Sequence, residues 1–273
     1  MSDRPPFTER PLHADDDGAA TLAARAGPHG VYVTNALAAG DAAGFVLARG
    51  GEDAVLGWFG VRGNLVLIGP DTLGPAEVER VADQVQRTRR PWRIAMGPRA
   101  IVEALLLRTS GAPLVLRDQV YYAGSSATAA ADQVRNDVRP AQRADRDRLV
   151  QATLQLNASD LNIPPASVDR RWLRDAIDER IAEGTTRVVG PVGGVTCKLD
   201  IGSDGPGGTV LEGVFTFADQ RGRGLATGLV ATCLAAAPAS VCLHVGLHNT
   251  PARAAYERAG MQEVARCRLL LLG

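Results

Sequence analysis

Apolar and polar positions along the chain switch between a period near 3.6 and a period of two, and the switches mark out elements. In the C-terminal half a short strand ends at Arg139-Pro140-Ala141. From there to about residue 157, Leu149, Leu154 and neighbouring alanines recur at helical spacing, and Pro164-Pro165 stop the run. A second helix is predicted over 169–183: Trp172, Leu173, Ala176, Ile177 and Ile181 share a face, Asp169 caps the start and Gly184 follows the end. Strands over 187–190 and 194–201 flank the turn Pro191-Val192-Gly193, and the turn at 203–208 leads into a strand over 209–217, an antiparallel meander. A Gly-containing loop, a helix over 224–236, a strand over 241–247, a helix over 251–259 and a strand over 264–272 complete the half.

The N-terminal half carries a parallel series: a strand over 65–68, a helix over 75–87, a strand over 92–96, a helix over 98–108 and a strand over 114–122. Residues 123–137, with Gly124-Ser125-Ser126 and an Ala-rich polar tail, have the composition of an exposed connection. The expected division is therefore a domain over 1–124, a linker over 125–137 and a domain over 138–273. A length of 273 residues suits two domains, and 45% hydrophobic with 22% charged residues lets each half bury a core.

Charge narrows the partners. Thirty basic and thirty acidic residues cancel, with no Lys/Arg block and no basic stripe interleaved with aromatics, so nucleic acid is not an expected partner. Residues 1–17 are polar, with Pro5, Pro6 and Asp15-Asp16-Asp17, and no secretion signal is read there. Apolar runs such as 225–237 fall short of the roughly 20 residues that span a bilayer. A soluble, cytoplasmic protein without a membrane partner is expected. Cys197, Cys233, Cys242 and Cys267 are far apart and read as buried thiols. His244 and His248, four residues apart on the drawn strand, lie about 13 Å from each other, so no metal is expected. Trp58, Trp92 and Trp172 read as core residues.

Chemistry is concentrated at residues 214–229, VFTFADQRGRGLATGL, where a strand, a turn with Gly222 and Gly224, and a helix follow in direct succession. Glycines let a backbone turn tightly, and the N–H groups and dipole of a helix N-terminus suit an anionic phosphate. Arg221 and Arg223 add positive charge. The glycines follow a meander rather than a parallel β-α-β unit, which argues against a dinucleotide fingerprint, and no Lys-Ser/Thr pair follows Gly224 as a Walker site needs.

This segment resembles the pyrophosphate loop Q/R-x-x-G-x-G/A of the GNAT superfamily of N-acetyltransferases, with Arg221, Gly224 and Ala226 at the defined positions. Downstream, Asn249, Ala252, Tyr256, Gly260 and Met261 resemble a second motif of the family. The resemblance implies an α/β (α+β) fold of tandem GNAT-like domains, each a mixed, mostly antiparallel sheet flanked by helices. It implies acetyl transfer from acetyl-CoA to a primary amine, in a small molecule or peptide, by direct attack. A non-catalytic acyl-CoA-binding or regulatory module on the same fold is the alternative. Acceptor identity and oligomeric state are not legible.

The same resemblance assigns the cofactor arm to the splayed strand at Val214, Phe215 and Thr216, and to Asn249. It assigns the pyrophosphate to Arg221, Gly222, Arg223, Gly224, Leu225, Ala226 and Thr227. Tyr256 becomes the proton donor to the departing thiolate; its other reading is a core tyrosine. Glu212, two residues before Val214 and so expected on the same strand face, is the candidate base, or else a structurally paired carboxylate. In the N-terminal half the turn equivalent to the phosphate loop reads Gly69-Pro70-Asp71-Thr72-Leu73-Gly74-Pro75. Its prolines lack N–H donors and Asp71 repels phosphate, so this half is expected to have lost a cofactor site.

Overall fold

The computed structural model describes residues 6–60, 63–110 and 112–273, so Met1 to Pro5 of the polar N-terminal stretch lie outside the described residues. The chain forms two compact units, Met1–Val120 with Gly205–Gly207 and Val264–Gly273, and Tyr121–Asp204 with Gly208–Glu263.

The first unit contains β1 (Phe7–Pro11), α1 (Asp17–Arg25), α2 (Pro28–Ala38), β2 (Gly44–Arg49), β3 (Glu52–Gly60), β4 (Asn64–Ile68), α3 (Pro75–Arg87), β5 (Ile94–Gly97) and α4 (Arg99–Leu106). Strand β6 (Val115–Gly124) begins here and ends in the second unit. The second unit continues with β7 (Val138–Pro140), α5 (Arg146–Leu161), α6 (Arg170–Ala182), β8 (Thr186–Val189), β9 (Cys197–Gly205), β10 (Gly208–Thr216), α7 (Leu225–Ala236), β11 (Val241–Gly246) and α8 (Thr250–Arg258). The last strand, β12 (Gln262–Leu271), passes at residue 264 into the first unit.

Both units hold mixed sheets. In the first, β1 to β4 pair antiparallel in sequence, β4 and β5 pair parallel, and β12 closes on β5 antiparallel through Leu269↔Met96 and Leu270↔Ala95. In the second, β7, β8 and β9 pair antiparallel and β10 pairs parallel with β11. The core of the first unit gathers Phe45, Leu47, Leu65, Leu67, Val81, Ile101 and Leu270. That of the second has Leu149, Val150, Leu154, Leu173, Ile177 and Val188 under α5 and α6, and a cluster of Ala152, Phe215 and Phe217.

The series drawn from hydrophobic periods is present, with differences that have local causes. Helix α5 runs past residue 157 to Leu161, where Asn162 takes a left-handed φ of 55° and ends it before Pro164. Strand β9 extends to Gly205, so the broad turn drawn over 203–208 contracts to Pro206-Gly207. On α6 the buried face is Leu173 and Ile177, while Trp172 is 64% exposed rather than in the core. Trp92 is partly buried against the first core and Trp58 is half-buried. Residues 125–137, read as an exposed connection, are bonded to the second unit. Ala130 N–H donates to the Ala259 carbonyl at 3.1 Å and Arg135 N–H to Thr232 Oγ1 at 2.9 Å. The final strand, read as part of the C-terminal half, completes the sheet of the first unit.

Asp145, just before α5, ties the preceding turn to β7 and to the loop at Gly193. Fully buried, it accepts two bonds from the Arg139 guanidinium at 2.7 and 2.9 Å and two at 2.8 Å from the Gln142 and Gly193 N–H groups. Burial pushes this carboxyl up, but the Arg139 and backbone bonds together outweigh it and hold it below the usual carboxylate range. A folded-state value below the unfolded one means the stability is present above about pH 4 and is lost as pH falls through the folded value. Asp145→Asn should cost about 2 kcal/mol at neutral pH and make unfolding less dependent on acid. Urea titrations at pH 7 and pH 4 check this; equal stability of the two proteins at pH 7 would refute it.

Candidate functional site

The parallel pairing of β10 with β11 is registered at Thr209↔Val241 and Val210↔Cys242. Both strands continue beyond it, β10 to Thr216 and β11 to Gly246, without a registered partner in each other among the described residues. The two strands thus part after Val210, and β10 carries backbone N–H and C=O groups along the opening, at Val214, Phe215 and Thr216. Phe215 is anchored behind it, edge-on to Phe217 at 5.2 Å.

Strand β10 leads through a short 3-10 turn at Ala218–Gln220 into the loop and α7. Gly222 and Gly224 adopt φ of 75° and 70°, a region that side-chain-bearing residues rarely enter, and nothing among the described residues lies within 4 Å of where a Cβ would stand at either. Backbone conformation, rather than crowding, demands these glycines, and the loop faces open space. Gly224 is the N-cap of α7, and no side chain among the described residues caps the helix. The exposed Arg221 and Arg223 fold back locally, Arg221 Nε onto the Thr216 carbonyl at 3.2 Å and Arg223 onto Gln220 Oε1 at 3.1 Å. Leu225 and Ala226 are half-buried; Thr227, in the first turn of α7, is buried with its hydroxyl unpartnered. An open, uncapped helix N-terminus flanked by two arginines has the donor chemistry that a pyrophosphate requires.

The corresponding corner of the first unit is filled. There α3 starts at Pro75, and the Glu77 carboxylate turns back to accept the Gly74 N–H at 2.7 Å while pairing with Arg49. The chain's own anion occupies this helix terminus.

Across from the opening, α8 starts at Asn249, whose side chain caps it by accepting from Ala252 N–H at 3.3 Å. Asn249 is the cap through its Oδ1, and Thr250 is the first helical residue. Tyr256 is 6% exposed, and its hydroxyl makes no hydrogen bond among the described residues. Its ring meets Tyr122 edge-on at 5.9 Å, and Tyr122 is fixed by donating to Glu257 at 2.7 Å and accepting from Arg253 at 3.1 Å. Burial, reinforced by the nearby acidic Asp160 and by Cys197, pushes the Tyr256 phenol up from its ordinary value, so it keeps its proton across the neutral range. Cys197 on β9 accepts a hydrogen bond from Thr216 at 3.2 Å, and burial raises its thiol to about 11. Thr216 and Cys197 are thereby bonded across β10 and β9.

Glu212 lies elsewhere on β10. Gly213, with φ of 57°, puts an irregularity into β10, so strict alternation is not assured between Glu212 and Val214 and Thr216. Its carboxylate lies over Gly202 and 3.8 Å from the Arg180 guanidinium, beyond hydrogen-bond distance. The sequence reading missed Arg180, Lys198, Asp200 and Tyr122. The one local signal was the pair Lys198 and Asp200 alternating with the apolar Cys197, Leu199 and Ile201 at the start of β9. β11 ends at Gly246, before His248; His244 packs against Tyr121 at 5.7 Å between ring centroids.

Residues 153–261 match the model of the acetyltransferase (GNAT) family. No curated protein matches the chain. Among solved structures, a GCN5-related N-acetyltransferase from Sphaerobacter thermophilus superposes with a TM-score of 0.57 at 16% identity, covering 97% of this chain and 94% of that one. A GNAT-family acetyltransferase from Colwellia psychrerythraea gives 0.51 at 13% identity, over 98% and 100%. A tandem GNAT protein from the clavulanic acid biosynthesis pathway gives 0.50 at 15%, over 97% of each chain. At these identities the likeness is one of fold, and it extends over nearly the whole chain. No described helix is long and apolar enough to cross a membrane.

Proposed function

We propose, from the premise that residues 153–261 belong to the acetyltransferase (GNAT) family, that this chain transfers an acetyl group from acetyl-CoA to a primary amine by direct attack. The observation that carries the reading is the parting of β10 from β11 immediately before the open, uncapped N-terminus of α7. An unpaired strand backbone suits an amide-bearing arm, and a helix N-terminus suits a diphosphate, in the order in which the two occur along one ligand.

Bound acetyl-CoA would supply an acyl group on a thiol leaving group. The N–H groups of residues 221–227 would hold the pyrophosphate, with Arg221 and Arg223 adding charge. The backbone of Val214, Phe215 and Thr216 would line the arm. For the transfer to balance, an amine nitrogen bonds to the acyl carbon, the carbon–sulfur bond breaks, the amine loses a proton and the departing sulfur gains one. Tyr256 holds the proton for sulfur. Glu212 offers a carboxylate for the amine proton, directly or through water.

Release of free thiol from acetyl-CoA in the presence of a broad amine panel tests the reading. No release with any amine, while CoA binds, would favour a non-catalytic acyl-CoA-binding module. The filled α3 terminus adds an expectation: calorimetric titration of the intact chain with CoA should give one site per chain. Two equivalent sites would overturn the view that the first unit lacks one.

A further inference from the structure

Four charged side chains from α6, β9 and β10 meet in two pairs of different character. The inner pair is closed. Lys198 and Asp200 on β9 are 3% and 9% exposed, with Nζ 2.5 Å from Oδ2, and Thr186 donates to the other carboxylate oxygen at 2.7 Å. The outer pair is loose. Arg180 of α6, its side chain 19% exposed, stands 3.7 Å from Asp200 Oδ2 and 3.8 Å from Glu212 Oε2, and Glu212 is 34% exposed.

Both Arg180 distances exceed a hydrogen bond, and among the described residues the guanidinium donates none. A guanidinium carries five N–H donors in a planar fork that matches a two-oxygen anion. Asp200 fixes this one in place by charge and leaves its donors to be used. Two glycines make room for the cluster: a Cβ at Gly213 would stand 2.8 Å from Asp200 Oδ2 and 2.9 Å from Lys198 Nζ, and any side chain at Gly202 would take the space of the Glu212 carboxylate.

The cluster constrains the acceptor. An amine presented to Glu212 stands within a few ångströms of the Arg180 cation. A bare alkylammonium is repelled there, whereas an amine with an anionic group next to it is attracted, because each charge meets its opposite. We propose that Arg180 and Glu212 form the acceptor subsite, and that the acceptor is an α-amino-acid-like zwitterion whose carboxylate takes the Arg180 fork while its amine faces Glu212. This rests on the transferase reading for what happens next, but the recognition itself is a binding property.

The test uses the full chain saturated with CoA, titrated calorimetrically with the standard L-amino acids and with their α-amides, alongside acetyl-CoA turnover with the same compounds. At least one amino acid should bind, with its amide weaker by about tenfold or more. Arg180→Gln should raise the Kd of that amino acid by about tenfold or more while leaving CoA affinity unchanged, and should remove the preference for acid over amide. Arg180→Lys should recover part of the affinity. Amides binding as well as acids in the unmodified chain, or no amino acid binding at all, overturns the proposal without reference to any variant. Arg180-dependent binding without acetyl transfer would leave the subsite standing and sink the transferase reading. Acetylation of amines lacking a carboxylate, with amino acids refused, would do the reverse.

Discussion

Replacing Gly224 by proline should abolish measurable CoA binding, a loss of about three orders of magnitude if two charge-assisted N–H contacts go. Two effects act together. Gly224 sits at φ 70°, whereas proline is confined near −65°, so the loop cannot keep its course into α7. The substitution also removes an N–H from the loop that faces the proposed pyrophosphate. Gly224→Ala separates the effects: it keeps the N–H and has open space for its methyl, at a conformational cost of about 1–2 kcal/mol. Calorimetry with CoA, and circular dichroism to verify the fold, decide the matter. A folded Gly224→Pro protein with unchanged CoA affinity would remove the loop from the cofactor site.

The loop was legible in sequence because its requirement is local. Two residues must take positive φ between a strand and a helix, and glycine marks such positions in the letters themselves. The same holds for α8, where Asn249, Pro251 and Gly260 punctuate the helix, although which polar side chain caps it was settled only by geometry. The first 60 residues yielded less. Helix α2 is buried on nearly every side, from Pro28 through Val33 and again from Asn35 to Leu37, so it has no amphipathic period to detect. Strand β12 was read as a strand, but its pairing with β5 was not legible, since chain order carries no information on which sheet a terminal strand joins.

The acceptor side escaped for another reason. Arg180, Lys198, Asp200 and Glu212 come from α6, β9 and β10, and no spacing within a single element brings them together. Glu212 was found through its strand, but the argument that placed it assumed a regular period of two, and Gly213 next to it takes a positive φ. Its carboxylate stands 3.8 Å from Arg180, the geometry on which the acceptor proposal rests. The contrast between α7 and α3 is similarly tertiary. Both helices follow a parallel-paired strand, and Pro70 and Pro75 already disfavoured a phosphate at the second. That Glu77 fills the place with its own carboxylate became visible only in the fold.

Tyr256→Phe should lower kcat by about 10²–10⁴-fold, the range for losing a positioned general acid, with CoA affinity changed little. The ring is what packs: it lies edge-on to Tyr122, buried in the second unit, and phenylalanine keeps it. The hydroxyl makes no hydrogen bond among the described residues, so its removal leaves no partner unsatisfied and should not weaken the fold. What disappears is a proton available to the departing sulfur, an interaction made only in the transition state, and such a loss falls on kcat rather than on binding. Because burial holds the phenol protonated through neutral pH, the unmodified protein should keep its activity as pH rises past 8, so far as Tyr256 governs it. The measurement is a full comparison of kcat, KM for acetyl-CoA and Kd for CoA, with pre-steady-state thiol release to verify that chemistry limits turnover. Equal single-turnover rates for the two proteins would return Tyr256 to the core and leave protonation of the leaving group to water.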